Sequence, residues 1–187
     1  MRYITWCLSV CTAVFFLPVI TNAFDIQLTD KQIHDATDCG SKYKGKEVFD
    51  SDVIKSASFG DYPGGEGGLV MSKYVKLTVV SAMMGLKDKS LTPDDIKEIT
   101  GSPTFNVVIK TPDDGIEIPE DVQITLIQGS NNILPLKNEF GMKYKDNRQS
   151  VIGVFLYEKV NPHASTAVEV KTRKSLRKYK INFSQIK

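Results

Sequence analysis

Phe105-Asn106-Val107-Val108-Ile109-Lys110 is an apolar, β-branched run that stops at the turn signal Pro112-Asp113-Asp114-Gly115, and it governs how the rest of the chain is read. Strand-like runs recur after it at 122–127, 139–144, 151–160, 166–171 and 179–183, with turns at 129–132 and at Asn161-Pro162. Upstream, Thr92-Pro93-Asp94-Asp95 is the clearest helix start. Threonine caps, proline suits the first helical position, and two carboxylates meet the positive end of the dipole; Gly101 ends the helix.

Moving further towards the N-terminus, 69–80 reads as a strand, and the glycines between Tyr62-Pro63 and residue 68 read as a loop. Before that loop, Asp50 or Ser51 caps a helix whose apolar face is Val53, Ile54 and Ala57, and Gly60 is its stop. Thr29 and Gln32 have capping-box spacing over a short turn ending near Cys39, and 24–28 alternates like a half-buried strand. The expected class is α+β, with a central antiparallel sheet and short helices mainly in the N-terminal half. Neither a repeat nor a linker divides the chain, so one domain is expected.

Composition fits an ordinary globular protein, with 187 residues, 41% apolar, 25% charged and a formal net charge of +2. Residues 1–23 stand apart. Arg2 precedes an apolar run from residue 4 to residue 20, and Thr21-Asn22-Ala23 supplies small residues for a signal peptidase, so a cleaved secretory leader is expected. The run is too short and too interrupted for a stable membrane span. Its removal takes Arg2, Cys7 and Cys11, which lowers the net charge by one and leaves Cys39 as the sole cysteine of residues 24–187. Cys39 is therefore either free or joins two copies in a disulfide-linked dimer.

The chemistry-bearing residues are sparse. His34, His163 and Cys39 lack metal-ligand spacing, and the glycine loop is followed by an apolar run instead of Lys-Ser or Lys-Thr, so no cofactor is expected. Six of the ten residues in 171–180 are basic: Lys171, Arg173, Lys174, Arg177, Lys178 and Lys180. Such a run can hold phosphates or an anionic membrane, bind a nuclear import receptor, or protect an edge strand. Asn182-Phe183-Ser184 fits the N-glycosylation rule.

Two blocks carry a family resemblance. The first is Cys39-Gly40, Tyr43, Phe49, Asp52-Val53, Ala57 and Tyr62-Pro63; the second is Leu134-Pro135-Leu136, Tyr144, Arg148 and Val151-Ile152. Together they resemble the secreted guanyl-specific ribonucleases of fungi and, more closely, the ribonuclease-like effectors that powdery mildew fungi secrete into plants. The resemblance implies a ribonuclease-like fold in which the second block spans a central strand, a turn and the next strand, with about 69–130 as an insertion. In the enzymes a histidine follows Tyr-Pro, a glutamate precedes the central proline by two, an arginine lies in the turn and a histidine on a late strand. Here those positions hold Gly64, Ile133, Arg148 and, for the late strand, the histidine-free 167–170.

Cleavage by an attacking 2′-hydroxyl needs a base, an acid and a cation. Arg148 alone supplies the cation. The resemblance thus implies a secreted virulence effector that no longer catalyses and that binds a host protein or host RNA to suppress immunity, outside the host cell or in its cytoplasm or nucleus. For RNA, the expected contacts are Arg148, Arg173, Lys174, Arg177 and Lys178, with Tyr144 or Tyr157 for base stacking. Two alternatives remain: an active hydrolase using Glu66 or Glu139 as base and His163 as acid, and an unrelated extracellular binding or adhesive module.

Overall fold

The computed structural model describes residues 24, 26–111, 118–144 and 148–187; the leader and the turn at Pro112-Asp113-Asp114-Gly115 lie outside them. The chain is α+β. Helices α1 (Asp30–Lys42), α2 (Asp52–Ala57), α3 (Lys73–Gly85) and α4 (Pro93–Gly101) all precede the long strand β3 (Thr104–Lys110). The short strands β1 (Ser58–Gly60) and β2 (Gly67–Met71) lie among the helices. Six further strands follow: β4 (Gln123–Gln128), β5 (Asn131–Ile133), β6 (Lys137–Lys143), β7 (Gln149–Leu156), β8 (Thr166–Lys171) and β9 (Leu176–Ile181).

The helix starts follow local chemistry. Thr29 and Gln32 close the expected capping box on α1, Ser51 caps α2 through the Ile54 amide, and Thr92 and Asp95 close a second capping box on α4. Instead of the single sheet expected, the strands form two, one ordered β1-β2-β3-β7-β6 and the other β5-β4-β8-β9, and every pairing is antiparallel.

Three expectations are corrected. Residues 69–80 are not one strand: β2 ends at Met71, the Ser72 hydroxyl accepts from the Val75 amide, and α3 begins. Tyr74, Val75, Leu77, Thr78, Ser81 and Ala82 are buried at helical spacing, so packing outweighs the strand bias of the β-branched residues. Residues 26–28 form no strand, and Phe24 is instead a buried ring packed on Phe183, Phe105 and Tyr157. Finally, β6 is not central but an edge strand, and Leu134-Pro135-Leu136 precedes it outside any strand. The middle strands β3 and β4 come from 69–130, so that segment is part of both sheets.

Register tells which faces meet. Phe105, Val107 and Ile109 lie opposite Phe155, Gly153 and Val151, which puts all six on one face. That face meets the second sheet: a Cβ on Gly153 would lie 3.3 Å from Ile124 Cδ1, the Asn138 amide donates to the Val122 carbonyl at 2.7 Å, and the Phe59 and Tyr179 rings are 5.4 Å apart. Ile124, Leu126, Val168 and Val170 form the buried face of the second sheet. In the helical layer α1 packs along α3, closely enough at Gly40 that a Cβ there would stand 2.3 Å from the Thr78 carbonyl oxygen and 2.6 Å from Ser81 Cβ.

Two glycine substitutions separate close packing from mere helix propensity. Gly40→Ala forces α1 off α3 at a cost of about 1–3 kcal/mol, lowering the melting temperature by roughly 3–10 °C. At Gly85, the last residue of α3, a Cβ would meet nothing within 4 Å, so Gly85→Ala leaves stability unchanged or raises it by about 0.4–1 kcal/mol. Thermal unfolding followed by circular dichroism measures both; equal effects from the two substitutions would contradict the packing described.

Candidate functional site

A part of each sequence block, Phe49 and Tyr62 from the first and Tyr144 and Arg148 from the second, meets at one end of the first sheet. The loop between β1 and β2 brings in Tyr62 and Gly64, β3 ends in Lys110, and the β6–β7 connection brings in Tyr144 and Arg148. Tyr62 is hydrogen-bonded to Tyr144, the Lys110 ammonium sits 4.6 Å from the centre of the Tyr144 ring, and Lys110 Nζ lies 3.4 Å from the Gly64 carbonyl oxygen. The Tyr144 amide donates to the Arg148 carbonyl at 2.9 Å. Phe49 completes the far side of Tyr62, ring to ring at 6.0 Å.

This cluster is apolar enough to change the chemistry of its members. Lys110 is 5% exposed, and an ammonium over a ring face is favoured by the ring's quadrupole when it is taken out of water. Burial, followed by the nearby Tyr144 oxygen, pushes the Tyr62 phenol far above its ordinary value. Of the two rings expected from sequence to stack on bases, Tyr157 is instead buried against Phe24 and Phe105, and Tyr144 already has the Lys110 ammonium against its ring.

The basic segment is distributed differently from its appearance in the sequence. Arg173 pairs with Asp121 at 2.9 Å, and Arg177 Nε donates to Glu66 at 3.0 Å, so both arginines are held by carboxylates of other elements. Lys174 sits in the β8–β9 turn, where its amide donates to the Thr172 hydroxyl at 3.2 Å. Lys178 and Lys180 are exposed on β9, opposite Glu169 and Ala167. Arg148 is half-buried in the first sheet's connection and belongs to the Tyr62 cluster, whereas Arg173, Lys174, Arg177 and Lys178 belong to the second sheet's edge.

The alternative catalytic set is not gathered either. His163 lines a cleft of about 610 Å³ with Ser56, Ser58, Ser165, Lys180 and Asn182, and neither Glu66 nor Glu139 lines it. Glu66 is held by Arg177, and Glu139 pairs with Lys137 at 2.5 Å. Cys39 is half-buried against the core, burial raises its thiol pKa, and the exposed His34 lies 3.3 Å from Asp38. Among the described residues no group of three His, Cys, Asp or Glu side chains could hold a metal ion, and no helix is long and apolar enough to cross a membrane.

Sequence reasoning missed two features. The first is Lys73, 5% exposed at the start of α3, whose ammonium is bonded to the carbonyls of Ile26 and Thr100. The second is an apolar row, Leu134, Leu136, Phe140 and Met142, exposed in and just before edge strand β6. The alternation of this row with Lys137, Glu139 and Lys143 was a usable signal. No protein-family model, curated protein or solved structure matches this chain significantly.

Alkaline titration checks the Tyr62 cluster. Its phenol has a raised folded-state pKa, as has that of Tyr157, so the stability they contribute is complete below the unfolded value near 10 and is lost as pH rises above it. Phenolate absorbance from these two tyrosines should therefore appear together with loss of near-ultraviolet circular dichroism, and Tyr62→Phe should remove part of that coincident signal. Full phenolate formation near pH 10 with an intact native spectrum would contradict the burial.

Proposed function

We propose that this protein is a secreted effector of ribonuclease-like descent that works without catalysis, by binding a host protein. The observation that carries the reading is a group of four exposed apolar side chains, Leu134, Leu136, Phe140 and Met142, in and just before an edge strand, because exposed apolar surface is what protein partners use and polyanions do not. The basic segment supports the same choice. Its two arginines are engaged by Asp121 and Glu66, which weakens the field an RNA backbone would meet.

Three further points support the ribonuclease-like and non-catalytic parts of the reading. Tyr62, and Tyr144 with Arg148, far apart in the chain, meet in one cluster. The position after Tyr-Pro is Gly64, whose carbonyl takes the Lys110 ammonium and which has no side chain to act as a base. Ile133, at the glutamate position, is an aliphatic residue on β5 of the other sheet. An arginine with neither acid nor base binds phosphate without cleaving it at a useful rate.

The decisive experiment titrates the secreted protein with structured RNA at several salt concentrations and then runs the RNA on a denaturing gel. The expected result is weak binding and intact RNA. In parallel, the double substitution Leu134→Ser and Leu136→Ser should abolish suppression of immune cell death in plant tissue while leaving the melting temperature within a degree or two, since both side chains are well exposed. Tight binding with a steep salt dependence would replace the protein partner with RNA, and cleaved RNA would overturn the non-catalytic reading.

A further inference from the structure

Among the eight asparagines of the chain, only Asn182 begins an Asn-x-Ser/Thr sequence, and it falls where strand β9 gives way to the 3-10 turn Phe183–Gln185. Three observations bear on what that triplet can do. Asn182 and Ser184 are both exposed, whereas Phe183 between them is fully buried, its ring 4.3 Å from that of Phe24. Asn182 Oδ1 accepts from the Ser184 hydroxyl at 2.7 Å and from the Ser184 amide at 3.1 Å. The Asn182 Nδ2 group donates to no described residue, so a substituent on it displaces no bond.

From these we infer that Asn182 is the N-glycosylation site of the secreted protein. The inference rests on the secretory reading of residues 1–23, since the transferring enzyme and its polyprenyl-diphosphate-linked oligosaccharide face the lumen of the secretory pathway. In the transfer, the Nδ2 lone pair attacks the anomeric carbon of the first sugar. The new N–C bond forms as the C–O bond to the diphosphate breaks, the diphosphate leaves with that electron pair, and the amide proton passes to a base on the transferase. A buried Phe183 means that transfer precedes the docking of the last turn onto Phe24, after which the sugar stands outside the fold.

The surroundings suit a sugar. Asn182 is on the lining of the 610 Å³ cleft, together with Ser56, Ser58, Ser165, Lys180 and Gln185. Hydroxyls, an amide and an ammonium can bond sugar hydroxyls, and no carboxylate lines the cleft. A sugar on Asn182 therefore stands at the border of a cleft whose polar lining suits it.

The test expresses the full chain in a yeast secretory host and compares wild type, Asn182→Gln, Ser184→Ala and Ser184→Thr before and after peptide-N-glycosidase digestion. Wild-type protein recovered from the medium should fall in mass on digestion, with aspartate at residue 182 in the peptide mass spectrum. Asn182→Gln and Ser184→Ala should run at the digested position without treatment, and Ser184→Thr should be modified at least as fully as wild type. Protein secreted and cleaved after residue 23 but unmodified at Asn182 overturns the inference while leaving secretion intact. Protein retained in the cell with residues 1–23 attached overturns the secretory reading instead. A version with those residues replaced by a proven yeast leader then decides the site: glycan at Asn182 upholds it, and bare Asn182 overturns it.

Discussion

Phe105 holds Phe24 and Phe183 to the middle of the chain, and most of the architecture depends on that contact. Its ring meets Phe24 edge-on at 5.0 Å, Phe183 edge-on at 5.9 Å, Tyr157 at 5.1 Å and Phe155 in a stacked arrangement at 5.7 Å. Each such pair adds roughly 0.5–1.5 kcal/mol beyond the area it buries. Because the partners are Phe24, residues of β7 and its following turn, and Phe183 of the turn after β9, one side chain on β3 fixes segments far apart in the chain, with no disulfide among the described residues. Next to it, the Tyr157 hydroxyl accepts from the Lys73 amide at 2.9 Å, so the start of α3 is tied to the same cluster.

Lys73 extends that tie by an unusual route. A nearly buried ammonium has a lowered pKa because water is removed from its charged form, and here carbonyl oxygens of Ile26 and Thr100 replace the water while the Tyr157 ring lies 5.5 Å away. Thr100 is in the last turn of α4, where unpaired carbonyls give the helix its negative end. One cation thus joins the segment before α1 to α3 and α4 without a carboxylate partner among the described residues. It is a position where a hydrophobic replacement would fit the burial but leave carbonyls without a donor.

Legibility from sequence followed the range of the interaction. Thr29 with Gln32, Ser51, and Thr92 with Asp95 act on amides three residues away, and such caps are legible in sequence, although Thr29 opens the helix Asp30–Lys42 where a short turn is expected and Ser51 is one of two expected caps. Helix α3 was lost because Val75, Thr78, Val79 and Val80 favour strands locally, and only the packing of Gly40 against Thr78 and Ser81 reveals the helical face. The antiparallel strands were largely found, but their division into two sheets depends on contacts such as Phe59 with Tyr179 and Asn138 with Val122, which link residues far apart in the chain. For the candidate site, Tyr144 and Arg148 are expected contacts from sequence and Tyr62 is only part of the Tyr-Pro motif, whereas Lys110 in their midst reads in sequence as the polar end of a strand.

Charge count in sequence also proved a poor guide to charge available at the surface. The run 171–180 looks like one basic patch, yet strand alternation sends Arg177 to the Val170 side and Lys178 to the Glu169 side of the sheet. Arg177 then meets Glu66, Arg173 meets Asp121, and Tyr179 between the two strand lysines turns inward to Phe59. Exposed pairs like these stabilise the fold by at most about 1 kcal/mol each, but they cancel nearby charge whatever their strength. Under the proposed reading, a surface whose arginines are neutralised in this way attracts a polyanion weakly and with little sequence discrimination. Affinity has to come from apolar area that salt does not screen, which on this molecule is found at the β6 edge.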